Sequence, residues 1–244
     1  MNTEDHPAAV VLGGGGGIGA AISTELAHTH AVLVGYHRNR GRAEAVVDEI
    51  TATGATAACA EADATTRSGV ESALTAARRL GRLRTVVHCV GAWDYTRLTD
   101  LDEDGIDRHY RTNLRSALLT LSAAATHVID HGRIVVLSSA AAYLCPARQA
   151  SYAAMKAGVE AAARVAAKEL GRRSITVNVV RPGATDTETL RAGTDPKAID
   201  AMSTANTLRR LGAPTDIAQV VSWLTSPQAQ WVTGATIDAT GGLW

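Results

Sequence analysis

The chain has 244 residues, 46% of them hydrophobic and 20% charged, which is enough to fill one core and too few for two ordinary domains. Its 24 basic and 24 acidic residues cancel, so there is no global cationic field to gather nucleic acid or an anionic membrane surface. No apolar run reaches the ~18 residues of a membrane-crossing helix, and residues 1–7 carry Glu4 and Asp5 where a signal sequence would be basic and then apolar, so the chain reads as soluble and cytoplasmic.

Short Val- and Ile-rich runs alternate with longer stretches of helical period. Strands are predicted over residues 8–12, 31–36, 55–61, 85–90, 132–138, 174–180 and 236–238. Between them, Ile106, Tyr110, Leu114, Ala117, Leu121 and Val128 recur at three- to four-residue spacing, as do Val159, Ala163, Ala166 and Leu170, which marks helices with one apolar face. This alternation predicts a single α/β domain over residues 1–244: a Rossmann-type, doubly wound sheet of about seven parallel strands with helices on both faces and ligands at the carboxyl ends of the strands. Residues 187–211 are polar, include Gly193 and Pro196, and read as a mobile lid over those ends.

Directly after the first strand comes Gly13-Gly14-Gly15-Gly16-Gly17-Ile18-Gly19, and then residues of helical character. Strand, glycine turn and helix in that order let the backbone approach a pyrophosphate, whose charge the helix N-terminal amides favour. A plain flexible turn is the competing reading. At the end of the second strand, Tyr36-His37-Arg38-Asn39 contains no acidic side chain to hold the ribose 2′-hydroxyl of NAD, whereas Arg38 with His37 suits a 2′-phosphate. NADP(H) is therefore expected over NAD(H), with a merely solvated Arg38 as the alternative. Cys59, Cys89 and Cys145 are odd in number and form no CxxC pair, so they support neither a disulfide framework nor structural zinc, and they read as small buried residues.

Tyr152 and Lys156, four residues apart on a helical segment, share one face one turn apart. The chain has only three lysines (Lys156, Lys168 and Lys197), so this spacing seldom arises by chance, and it follows Ser139 at a strand end. Taken singly, Ser139 also reads as a strand-end cap, Asn113 as a helical residue bonded to backbone and Tyr152 as an ordinary core edge.

On these motifs the chain resembles the short-chain dehydrogenase/reductase family, including its 3-oxoacyl-carrier-protein reductases, from Ala8 to the C-terminus. Ser139, Tyr152 and Lys156 match the family's catalytic serine and YxxxK, and Asn113 its helix asparagine. The resemblance implies a dinucleotide held by Gly13, Gly16, Gly17, Ile18 and Gly19, by His37 and Arg38, by Asp63 and Ala64, by Val90 and Gly91, by Tyr152 and Lys156, and by Pro182, Gly183, Thr185 and Thr187. It also implies a homotetramer, for which the small-residue faces of residues 116–128 and 153–167 are suited. The implied reaction is reversible reduction of a ketone to a secondary alcohol, with a non-catalytic NADP(H)-binding regulator or scaffold as the alternative.

Two departures bear on function. Leu12 replaces the loop threonine, and Gly15 and Gly16 stand where a small or basic residue is common, so a second contact to the 2′-phosphate is missing. His88-Cys89-Val90-Gly91 replaces Asn-Asn-Ala-Gly, so a loop-pinning hydrogen bond is lost or taken over by His88, which otherwise reads as a satisfied core histidine. The loops after the fourth and fifth strands nominate Trp93, Tyr95, Tyr143, Leu144 and Arg148 for the substrate pocket, with Thr185 from the lid side. A carrier-bound thioester calls for basic residues before the fifth strand, where Asp130-His131 stand, so a free or polyketide-like ketone is an equal expectation.

Overall fold

The computed structural model describes residues 6–244. The acidic N-terminal stretch at Glu4 and Asp5 lies outside the described residues. Seven strands form one sheet in the order β3-β2-β1-β4-β5-β6-β7: β1 (Pro7–Leu12), β2 (Ala31–Tyr36), β3 (Ala57–Glu61), β4 (Arg82–His88), β5 (Arg133–Leu137), β6 (Thr176–Pro182) and β7 (Thr236–Ala239). Every neighbouring pair is parallel. The order reverses between β1 and β4, which opens a crevice at their carboxyl ends.

The pleat divides the core. Val10 and Leu12 pack on one face against α3 (Arg67–Arg78), α5 (Ser116–His127) and α7 (Ala150–Leu170), while Ala9 and Val11 pack on the other against α1 (Gly17–Leu26), α2 (Arg40–Ala52) and α10 (Pro214–Thr225). The inner strands β1, β2 and β5 are almost wholly buried because both faces are covered, whereas the edge strands β3 and β7 stay half-exposed. Leu12 is fully buried in the first cluster, so the departure from threonine supplies core volume. Full burial of such a side chain is worth ~1.5–3 kcal/mol.

Local chemistry sets the helix starts. Asn39 accepts the Arg42 amide at 3.1 Å to start α2, Thr66 accepts Gly69 N to start α3, and Asp102 accepts Gly105 N at 2.8 Å to start α4 (Glu103–His109). Among the described residues, no helix is long and apolar enough to cross a membrane.

Two expectations change. The long helix predicted around Ile106 is interrupted by a π-helical turn, Tyr110–Arg115. The extra residue rotates the face, so His109 and Asn113 point inward while Ile106 and Tyr110 are exposed. Within the segment 187–211, expected as a lid, two short helices form: α8 (Glu188–Gly193), capped by Thr187, and α9 (Pro196–Thr204), capped by Asp195. Of the three cysteines expected to be buried, Cys59 and Cys89 are only partly so and Cys145 is exposed, where the chain leaves α6 (Ala141–Leu144) with a left-handed φ of 48°.

Candidate active site

The carboxyl ends of β1, β4, β5 and β6 meet around one cleft. In the glycine loop, the amides of Gly13 and Gly14 both reach the Gly35 carbonyl at 3.0 Å, which turns the chain sharply off β1. A Cβ on Gly19 would stand 2.1 Å from the Gly13 carbonyl oxygen, and Gly13, at φ 81°, would collide with the backbone of Cys89. These two positions admit only glycine. Gly16 precedes α1 without a side-chain cap, so the first amides of that helix face the cleft, and Thr187 lies against Gly17 from above. The loop is thus a cradle whose free amides and missing Cβ atoms fit a pyrophosphate.

At the neighbouring corner, His37 Nε2 lies 3.9 Å from Asp63 Oδ2, and Thr65 donates its amide and hydroxyl to Asp63 Oδ1 at 2.9 and 2.7 Å. Partial burial works to raise the Asp63 carboxyl, but the Thr65 hydrogen bonds and the charges of His37 and Arg38 hold it below its ordinary range. Ala64 beside it is buried.

Ser139 and Tyr152 face each other across the ends of β5 and α7. Tyr152 is 8% exposed, and burial raises its phenol above the ordinary value while the Ser139 hydroxyl offsets part of that. One turn on, Lys156 is 3% exposed and donates Nζ to the Leu137 carbonyl at 2.9 Å. Burial brings its ammonium down to about 8, with Cys89 acting in the opposite sense. Asn113, on the π-helical turn, accepts the Ala92 amide at 3.1 Å and donates to the Ala92 carbonyl at 2.9 Å. Its Oδ1 and Lys156 Nζ each lie 3.0 Å from where a Cβ on Gly91 would sit, so Gly91 is there for close approach.

His88 takes no part in pinning that loop. It is fully buried and joins β4 to α5 instead, with Nδ1 3.1 Å from Thr120 Oγ1 and Nε2 3.2 Å from Ser116 Oγ. Burial pushes the imidazole down to about 3, with the Lys156 charge acting the same way. It is a neutral core histidine, and the loop is held by Asn113.

A cavity of about 410 Å³ is walled by Ser139 and Tyr152, by Ile18, Pro182, Gly183, Thr185 and Thr187, and by Trp93, Tyr95 and Leu144. The sequence profile described as enoyl-(acyl carrier protein) reductase matches residues 13–244. The chain belongs to the short-chain dehydrogenase/reductase family. It is 37% identical over 250 residues to an uncharacterized oxidoreductase of Methylorubrum extorquens, covering 100% of both chains. A versicolorin reductase of Emericella nidulans is 33% identical, covering 98% of this chain and 96% of its own. A short chain dehydrogenase from Burkholderia cenocepacia in complex with NADP shares the fold at a TM-score of 0.91 and 33% identity over 99% of each chain. As a short-chain dehydrogenase/reductase, the protein is an oxidoreductase that interconverts CH–OH and C=O with a nicotinamide cofactor.

In this short-chain dehydrogenase/reductase, two nominated pocket residues lie elsewhere. Tyr143 turns outward, its ring 4.8 Å from that of Trp244 and under the Arg181 guanidinium, because α6 is only one turn long and points the side chain off the cleft. Arg148, at φ 69°, stays outside the main cavity and braces a wall residue by donating to the Tyr95 carbonyl at 3.2 Å. The lining also includes residues the sequence analysis does not name, among them Leu190 on α8, Met202 on α9 and Leu243 in the C-terminal turn. Leu190 and Met202 belong to the segment expected to lie over the strand ends, whereas nothing local marks the C-terminal turn as part of the cleft.

Proposed function

We propose that this chain is an NADP(H)-dependent ketone reductase, reversible in direction, with a 3-oxoacyl thioester or a polyketide-like ketone as substrate and Tyr152 as its general acid. The observation that carries the reading is that one cavity brings the Ser139 and Tyr152 hydroxyls against the same wall as Ile18 and Pro182 to Thr187, beside the glycine cradle. NADP(H) is favoured because His37 and Arg38 flank the ribose corner and no acidic residue ends β2. The NADP complex of the related dehydrogenase supports the same choice.

When bound, the reduced nicotinamide supplies a hydride to the carbonyl carbon, so the chain has to deliver a proton to the oxygen. Ser139 donates a hydrogen bond that orients that oxygen, and Tyr152 donates the proton. The tyrosinate left behind is opposed by burial and favoured by the Lys156 ammonium, whose Nζ lies 5.9 Å from the ring centroid. With a pKa of about 8, Lys156 is still mostly charged at neutral pH. Asn113 fixes the Ala92 backbone and, on the family pattern, supports the water chain that resupplies the proton. The sites act together as one unit from Gly13 to Leu243.

Replacement of Tyr152 by Phe tests this. The turnover number is expected to fall about 10²- to 10⁴-fold, with NADPH affinity by fluorescence titration nearly unchanged. A near-normal rate removes Tyr152 from the role. Tight NADPH binding by the native protein without turnover of any ketone or 3-oxoacyl thioester would favour a binding regulator instead.

A further inference from the structure

The glycine loop carries no basic side chain, yet a cation reaches it from another element. Arg42, in the first turn of α2, brings Nη1 to 3.7 Å from the place where a Cβ on Gly16 would stand. The missing Cβ of Gly15 lies 3.3 Å from the Ala43 amide nitrogen, so this turn packs directly on the loop. The other terminal nitrogen of the guanidinium, Nη2, pairs with the carboxylate of Glu188, the first residue of α8. Next to Glu188, Thr187 rests on Gly17 with its Cγ2 3.1 Å from that glycine's Cβ position. One ion pair therefore spans the cleft from the ribose corner to the helix that carries Leu190 into the substrate cavity.

We propose that Arg42 is the second cation of the 2′-phosphate site, and that Glu188 holds it until that phosphate displaces the carboxylate. This rests on the NADP(H) reading above and adds to it a residue and a competition. The local charges single out Arg42. Arg40 is engaged by Glu44 at 2.7 Å one turn along the same helix, and His37 leans toward Asp63. The side chains of Arg42 and Glu188 are 53% and 77% exposed, so their pair is weak and free to exchange. A phosphate offers a guanidinium two charge-assisted hydrogen bonds, which a ribose hydroxyl does not. NADPH thus releases Glu188 and the start of α8, whereas NADH leaves the strap in place.

The test is a fluorescence titration of native protein, Arg42→Ala, Glu188→Gln and the double variant with NADPH and NADH. Adenosine 2′,5′-bisphosphate, displacing bound NADPH, serves as a probe that contains no nicotinamide. Arg42→Ala is expected to weaken NADPH and the bisphosphate by about 10- to 100-fold, with NADH changed less than about twofold as the control for folding. Glu188→Gln is expected to tighten NADPH by up to about fivefold, and this gain disappears in the Arg42→Ala background. Equal NADPH affinity in the native protein and Arg42→Ala overturns the assignment. A Glu188→Gln effect that is absent, or that persists without Arg42, overturns the competition. If native protein binds neither dinucleotide, it is the NADP(H) reading itself that fails.

Discussion

Replacing His88 by Asn should change how stability depends on acid, by an amount the burial of this residue sets. The folded chain holds the imidazole neutral, with its pKa brought from 6.5 to about 3, while the unfolded chain protonates near the ordinary value. The unfolded state therefore binds the extra proton as pH falls below about 6.5, and stability declines from there toward pH 3. At full slope this is ~1.4 kcal/mol per pH unit, reached only once the unfolded group is mostly protonated, so the loss between pH 6.5 and 4.5 is about 2 kcal/mol from this one group. Asn cannot take up that proton, but it is too short to serve both Thr120 and Ser116, which costs about 1–3 kcal/mol at neutral pH. The native protein should be the more stable at pH 7.5 and lose that lead near pH 5. Urea unfolding at fixed protein concentration from pH 7.5 to 4.5 measures the difference, in which His30 and the carboxylates cancel. A native-minus-variant difference that stays flat with pH would show that His88 is not held neutral by burial.

Two further outcomes follow from the geometry. Gly91→Ala places a methyl 3.0 Å from both Asn113 Oδ1 and Lys156 Nζ, and since both are held by hydrogen bonds, at least one of the two catalytic-site groups has to shift. Turnover should fall by about two orders of magnitude, with ~1–3 kcal/mol of stability lost to overpacking, read by steady-state kinetics and thermal denaturation. Leu118 on α5 and Val165 on α7 are 42% and 55% exposed, on the faces that the family resemblance implies for self-association; light scattering at micromolar concentration tests the tetramer which that resemblance implies. A monomer would count against that assembly.

What the sequence made legible was local. The glycine loop, the Tyr152–Lys156 spacing and the alternation of strands and helices each depend on residues a few positions apart, and the fold and the cleft follow from them. Asn113 was recognisable by resemblance, but its inward aim depends on a π-helical turn that no regular period announces. Arg42 and Glu188 meet across 146 positions of sequence, so the cation at Gly16 was invisible and the loop looked bare. Tyr143 and Arg148 were misplaced for a different reason. Tyr143 sits on the single turn of α6, and Arg148 follows in a turn with left-handed backbone at Cys145 and Arg148, neither of which a regular period announces.

The sheet order also governs how the chain emerges from a ribosome. β1 pairs with β2 on one side and with β4 on the other, in a register that sets Pro7 against Arg82 and Leu12 against His88. Once β2 has formed, β1 waits with one edge open until residues as distant as His88 have been synthesised. That edge belongs to Ala8 through Leu12, all of them buried in the finished fold. A nascent chain that had paired β1 with β2 and not yet made β4 would present an apolar strand edge of the kind that templates aggregation.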